Sequence, residues 1–293
     1  MTVGRVHVVA LCVAVFGVPA AALADEHTLG LLVEAGVTTD DNVTRSRGDD
    51  RLSDTSYDVR LTWTRAFPRS MHTRLLLSGI AGAERFSSYA GLSHAFVGVQ
   101  GEFQYRESGA FLAPTFGIFG RAVAEAYDSR LRDGYRYSVG GRILQPLTDR
   151  LNLSVALAYN ARDGRSRVFD GHDYAARANL DYAVSARSTL YLGGEYRRGH
   201  LVSTARPSLY YVDIAEASIQ DDAFPDSGRL AYRVRARTGI ATLGYNLGLS
   251  ENQSLDFSLR SLRSTALENP GFPGAGTIRY QDTLGSIVYL VRF

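Results

Sequence analysis

The sequence predicts an all-β chain: a transmembrane up-and-down antiparallel β-barrel of about twelve strands, with short periplasmic turns and long extracellular loops. Three observations lead there. Apolar residues recur with period two in segment after segment, and the links between segments alternate between long and short. Past residue 25 no apolar run reaches the 18 or so residues that a spanning helix needs.

The expected strands are 28-38, 54-66, 71-85, 92-106, 110-125, 134-145, 150-162, 172-184, 188-199, 229-245, 253-264 and 279-293. In the second, Tyr57, Val59, Leu61 and Trp63 alternate with Asp58, Arg60, Thr62 and Thr64. In the seventh, Leu153, Val155, Leu157 and Tyr159 alternate with Ser154, Ala156, Ala158 and Asn160. Each segment is near or above the roughly 9 to 11 residues of a tilted membrane strand, and longer than the 5 to 6 of an ordinary one, which weighs against a soluble sandwich or propeller.

Links after odd strands are long and polar: 39-53, 86-91, 126-133, 163-171, 200-228 and 265-278. Links after even strands are short, as at Phe67, Gly109, Gln145, Ser185 and Leu247. That strict alternation is the signature of external loops and periplasmic turns. An even strand number puts both termini on one side, which is read as the periplasm.

The first residues explain how the chain reaches that compartment. Arg5, the apolar stretch Val6 to Val18 and the small residues Ala21 to Ala24 form an export signal, so residues 1-24 are expected to be a signal peptide and 25-293 one outer-membrane barrel domain. Cys12, the single cysteine, falls inside that leader, which excludes disulfides and thiolate chemistry from the mature chain. The 32 basic residues are all Arg and face 30 acidic ones, so no bulk field points to nucleic acid.

If polar faces point inward, the lumen can be sketched from parity. On the tenth strand Arg229, Arg233, Arg235 and Arg237 share a face, with Leu230, Tyr232, Val234 and Ala236 on the other. That Arg ladder is expected to line the lumen, near Glu195 and Arg197 on the ninth strand and Asp256 and Arg260 on the eleventh. A ring of cations favours anions. Alternatively, Arg pairs with Glu34, Asp58, Glu102, Glu125, Asp173 and Asp181 to fill a closed barrel.

The long 200-228 link is polar yet carries Tyr210, Tyr211 and Phe224, candidates for a constriction, a lid or a docking surface. Enzymatic sites find little support. There is no His-x-Ser pairing, and Asp170-Gly171-His172 offers only a two-residue Asp-x-His pattern, so no enzymatic role, cofactor or metal site is expected. The acidic pairs Asp40-Asp41, Asp49-Asp50 and Asp221-Asp222 lack the spacing of a calcium loop.

The final residues Ile287, Tyr289, Val291 and Phe293, apolar at alternate positions and ending on Phe, resemble the assembly signal of bacterial outer-membrane proteins. The resemblance implies insertion by the barrel-assembly machinery. The same parity turns Val288 and Leu290 inward, giving an apolar periplasmic end to the lumen. A second resemblance runs through residues 38-46 and 52-61, which are similar to the first hairpin of barrels encoded with exopolysaccharide export systems. It implies an extracellular glycan as ligand.

The expected function is an outer-membrane channel or export-associated barrel for small anions or acidic saccharides; the alternative is a non-conducting scaffold of an envelope or exopolysaccharide complex. The expected partners are outer-membrane lipid and lipopolysaccharide, the assembly machinery, and an anionic saccharide or a periplasmic protein. Nucleic acid is not among them.

Overall fold

A strand with one greasy and one polar side is stable at a membrane only when its backbone is fully paired and its greasy side faces lipid. The chain meets both conditions. In a computed structural model, which describes residues 30–224, 228–273 and 276–293, thirteen strands form one antiparallel sheet. The expected leader 1-24 lies outside the described residues.

Twelve strands close the barrel. They are β1 (Leu31–Asp40), β2 (Asp54–Pro68), β3 (Thr73–Phe86), β4 (His94–Arg106), β5 (Thr115–Tyr127), β6 (Gly134–Pro146), β7 (Leu151–Gly164), β8 (Gly171–Ser185), β9 (Ser188–Ala205), β11 (Leu230–Gly248), β12 (Gln253–Ala266) and β13 (Arg279–Arg292). The thirteenth, β10 (Ala217–Gln220), belongs to the loop between β9 and β11, as does the one-turn helix α1 (Leu209–Val212). Closure is made by β13 pairing with β1, from Leu32↔Arg292 to Asp40↔Leu284. The backbone N–H of Phe293 adds a bond of 2.9 Å to the Leu31 carbonyl.

Side-chain alternation sorts the two faces. Tyr57, Val59, Leu61 and Trp63 are exposed on the outer wall of β2, and their register partners Val37, Ala35, Val33 and Leu31 share that side of β1. Glu34, Gly36 and Thr38 point inward beside Leu290, Val288 and Ser286. Two apolar clusters lie on opposite inner walls: Ile80, Phe96 and Val123 on β3 to β5, and Ile240, Leu262 and Leu284 on β11 to β13.

Gly30 steers the chain into β1. Its φ of +57° is left-handed, and a Cβ there would stand 2.2 Å from the Thr64 carbonyl oxygen. Only glycine fits both constraints.

Two expectations need correction. The fifth strand begins at Thr115 rather than 110, because Pro114 has no N–H for the ladder and Ala110 to Ala113 close a turn through a 3.0 Å bond. The link 107-114 is therefore longer than the opposite-end loop 128-133, so the long-short alternation is not strict. The long loop also contains secondary structure of its own, α1 and β10, too short to register as a periodic pattern.

Candidate functional site in the lumen and across its mouth

Inward parity places one carboxylate among several cations halfway up the wall. Glu195 on β9 lies 3.1 Å from Arg177 on β8 and 4.0 Å from Arg260 on β12, and it pairs with Arg197 on its own strand. Three guanidiniums thus share this one carboxylate. Arg197 is the most accessible of the three, with 37% of its side chain exposed.

Below this cluster Asp256 accepts from the Tyr191 hydroxyl at 2.7 Å and from the Asn246 amide at 3.4 Å. Tyr191 lies over Gly244, where a Cβ would meet its ring at 2.0 Å. On the far wall Arg142 pairs with Glu102 at 2.6 Å, and Glu125 receives Arg136 at 3.0 Å with Arg162 at 3.7 Å. Arg60 stands 3.9 Å from Glu34. Asp173 instead accepts from Asn160 at 2.8 Å. The lumen wall thus carries ion pairs at Glu34, Glu102, Glu125 and Glu195 and, at Asp173 and Asp256, carboxylates held by neutral donors.

The Arg ladder of the tenth barrel strand is not lumenal. On β11, Arg235 and Arg237 are exposed on the same parity as Leu243 and Tyr245, whereas Ala236, Thr238 and Ile240 are buried on the inner face. Arg233 shares the outer parity but is covered, 3.2 Å from Glu216 and donating to the Arg167 carbonyl at 2.7 Å. Arg229 precedes the strand and donates to Asp50 at 3.1 Å. Parity misled because Tyr232 and Val234 are apolar for a different reason: they pack against loops rather than lipid.

Those loops cover the mouth. Tyr211 stacks on Tyr232 with ring centroids 5.1 Å apart, inside a cluster with Ile214, Val234, Ala266 and Ile278. Burial pushes the Tyr211 phenol above its ordinary pKa. Tyr210 packs edge-on against Phe272 at 4.9 Å and receives Arg47 over its face at 4.5 Å. From β10 the chain crosses to the opposite wall. Asp221 accepts from Thr204 at 2.7 Å and from Arg132, in the loop after β5, at 2.6 Å. Asp222 accepts from Ser129, and Phe224 meets Tyr89, in the loop after β3, with ring centroids 4.9 Å apart.

The loop 41-53 completes the cover from the first hairpin. Thr204 N–H donates to the Thr44 carbonyl at 2.8 Å and the Ser203 hydroxyl to that of Arg45 at 2.6 Å. Burial alone would lower the Arg45 pKa, but Tyr280, Asp282 and Asp40 together hold it above its ordinary value. Sequence reasoning did not anticipate this group. Asp40, Asp41 and Asp282 bring their carboxylates within 4.8 Å of one another, with Arg45 as counter-charge and Arg51 on Asp41 at 2.8 Å. The acidic pairs Asp49-Asp50 and Asp221-Asp222 serve as loop ties through Asp50, Asp221 and Asp222.

The Asp-x-His pattern is not brought together. Asp170 accepts from the Gly164 N–H at 2.8 Å to close its turn, while the His172 ring packs outside against His200, 4.5 Å away.

No family model matches the chain, and no curated protein matches it. Solved structures do. An outer membrane channel from Pseudomonas putida F1 is 11% identical, with 93% of this chain and 100% of that one covered and a TM-score of 0.58. The transport unit of the autotransporter AIDA-I from Escherichia coli is 10% identical, with 92% of each chain covered and a TM-score of 0.51. These likenesses are of fold: the chain has the fold of bacterial outer-membrane β-barrels.

Proposed function

We propose that this barrel is an outer-membrane channel or export-associated barrel for small anions or acidic saccharides, inserted by the barrel-assembly machinery. The observation that carries the reading is the sharing of Glu195 by Arg177, Arg197 and Arg260 on the inner wall. Of these Arg197 is the most exposed, and an accessible guanidinium binds carboxylate and sulfate groups in forked geometry. The likeness of the first hairpin to exopolysaccharide-associated barrels supports a saccharide as the bearer of that charge. The mouth cover, with Tyr210, Tyr211 and Phe224, acts as the constriction.

Single-channel recording in planar bilayers tests this. Anion preference that falls when Arg197 and Arg260 are replaced by Gln is expected; no conductance, or cation preference unchanged by those replacements, overturns it.

The second reading, a non-conducting scaffold, is favoured by the same cover, since Asp221 and Phe224 reach across to the loops after β5 and β3. It predicts silent bilayers even after the cover is loosened, and co-purification of a partner protein through the long loops.

A further inference from the structure

The Arg residues that parity turns out of the lumen form a patch of their own. Arg198 on β9 and Arg237 on β11 are direct register partners, and Arg237 is paired in turn with Thr265, itself the partner of Arg279 on β13. Arg235 lies two residues beyond Arg237, and Arg263 is the partner of Gly239. All five are exposed, on the outward parity of their strands. None of them is in an ion pair among the described residues; the nearby Glu216 is held by Arg233 at 3.2 Å and His200 at 3.0 Å.

The patch has a defined height. Along β9 the outward series runs Leu190, Leu192, Gly194, Tyr196 and then Arg198; along β12 it runs Leu255, Phe257, Leu259, Ser261 and then Arg263. The cations thus begin where the apolar belt ends, toward the long-loop rim. A guanidinium facing the middle of the hydrocarbon would cost about 2–4 kcal/mol, but one at the interface costs little. Like charges directly opposite on neighbouring strands are destabilising unless something screens them. Among the described residues no carboxylate is in an ion pair with these five arginines, so an anion from outside the wall is suited to screen them.

The structure assigns this face, Arg198, Arg235, Arg237, Arg263 and Arg279, as a binding site for the phosphate groups of an anionic lipid in the leaflet on the long-loop side. Phosphate satisfies forked guanidinium donors two at a time. A lipid whose acyl chains lie on Leu192, Leu243 and Leu259 carries its phosphates at the level of the arginines. The site is separated from the lumen by the barrel wall and stands whether or not the channel reading does; it rests only on the long loops being external.

The test uses the full barrel folded in detergent, with bound lipid read by native mass spectrometry. Bis-phosphorylated lipid A is expected to be retained, and the same lipid stripped of phosphate is not. Retention falls about fivefold for each guanidinium removed, so the triple variant R198Q/R237Q/R263Q loses roughly a hundredfold. Lys at the same three positions restores most of it. The wild type also releases the phosphorylated lipid as salt is raised. Equal retention of the dephosphorylated lipid, salt-independent retention, or full retention by a triple variant that migrates as a folded barrel overturns the site. Displacement of the lipid by inorganic phosphate alone at equal concentration identifies a free-phosphate site and overturns the lipid assignment.

Discussion

Arg177 on β8 reaches Glu195 on β9 across the strand pair at 3.1 Å, and it shares that carboxylate with Arg197 and Arg260. Glu195 is the acid that this cluster of guanidiniums shares. Replacing it with Gln removes a negative charge from the lumen wall, worth about 1 kcal/mol to an anion about 4 Å away in water, or about fivefold in local anion concentration. Glu195→Gln is therefore expected to move the reversal potential toward anion selectivity under a salt gradient. An unchanged reversal potential places the cluster off the conduction path.

Asp221 holds the mouth cover to two walls, through Thr204 and Arg132. Asp221→Ala leaves Arg132 without its buried partner and costs the cover about 3–5 kcal/mol, the scale for breaking a buried ion pair. The expected result is protease cutting within 206–224 in a barrel that stays assembled, together with larger or more frequent openings in bilayers. Protection equal to wild type would show that Phe224 and Tyr211 suffice to hold the loop.

Gly244 gives Tyr191 room to lie flat on the wall and reach Asp256 at 2.7 Å. A methyl group at position 244 must displace the ring, so Gly244→Ala is expected to destabilise the barrel by about 1–3 kcal/mol, as overpacking does. Urea unfolding from lipid vesicles measures this. Tyr191→Phe keeps the ring but loses the bond to Asp256, and its cost is expected to be smaller.

β13 carries Ile287, Tyr289 and Val291 on its outer face, opposite Val37, Ala35 and Val33 of β1, and Phe293 follows directly after it. If these residues form the assembly signal, Phe293→Ser lowers the fraction of heat-modifiable, folded barrel in cells while leaving refolding of purified chain in detergent nearly unchanged. Parallel loss in both settings would mean that Phe293 acts on stability alone.

The barrel strands were legible because period two is enforced along their whole length by lipid on one side and the lumen on the other. Glu195, Arg197 and Arg260 were legible as lumenal groups for the same reason. The Arg ladder was not, because the rule that polar means inward holds only within the apolar belt. Above it the outer wall meets headgroups and water, while Tyr232 and Val234 are apolar to suit α1 and Ile278. The signal that fixes the face was further down the strand, where Arg235 and Arg237 share odd parity with Leu243 and Tyr245. The mouth cover was illegible beyond its apolar residues, since Thr44 meeting Thr204 is a contact between chain segments far apart in sequence.

That contact also sets an order of events. Loop 41-53 hangs from β1 and β2, while its partners Ser203, Thr204 and Arg229 sit on or beside β9 and β11. Until β13 zips against β1 these segments lie at distant ends of an open sheet, and contacts of such sequence separation form late. The Thr44 to Thr204 bond thus reports completion: a chain that has it has already sealed its seam. Hydrogen exchange at Thr204 would follow the final step of biogenesis rather than the formation of the wall.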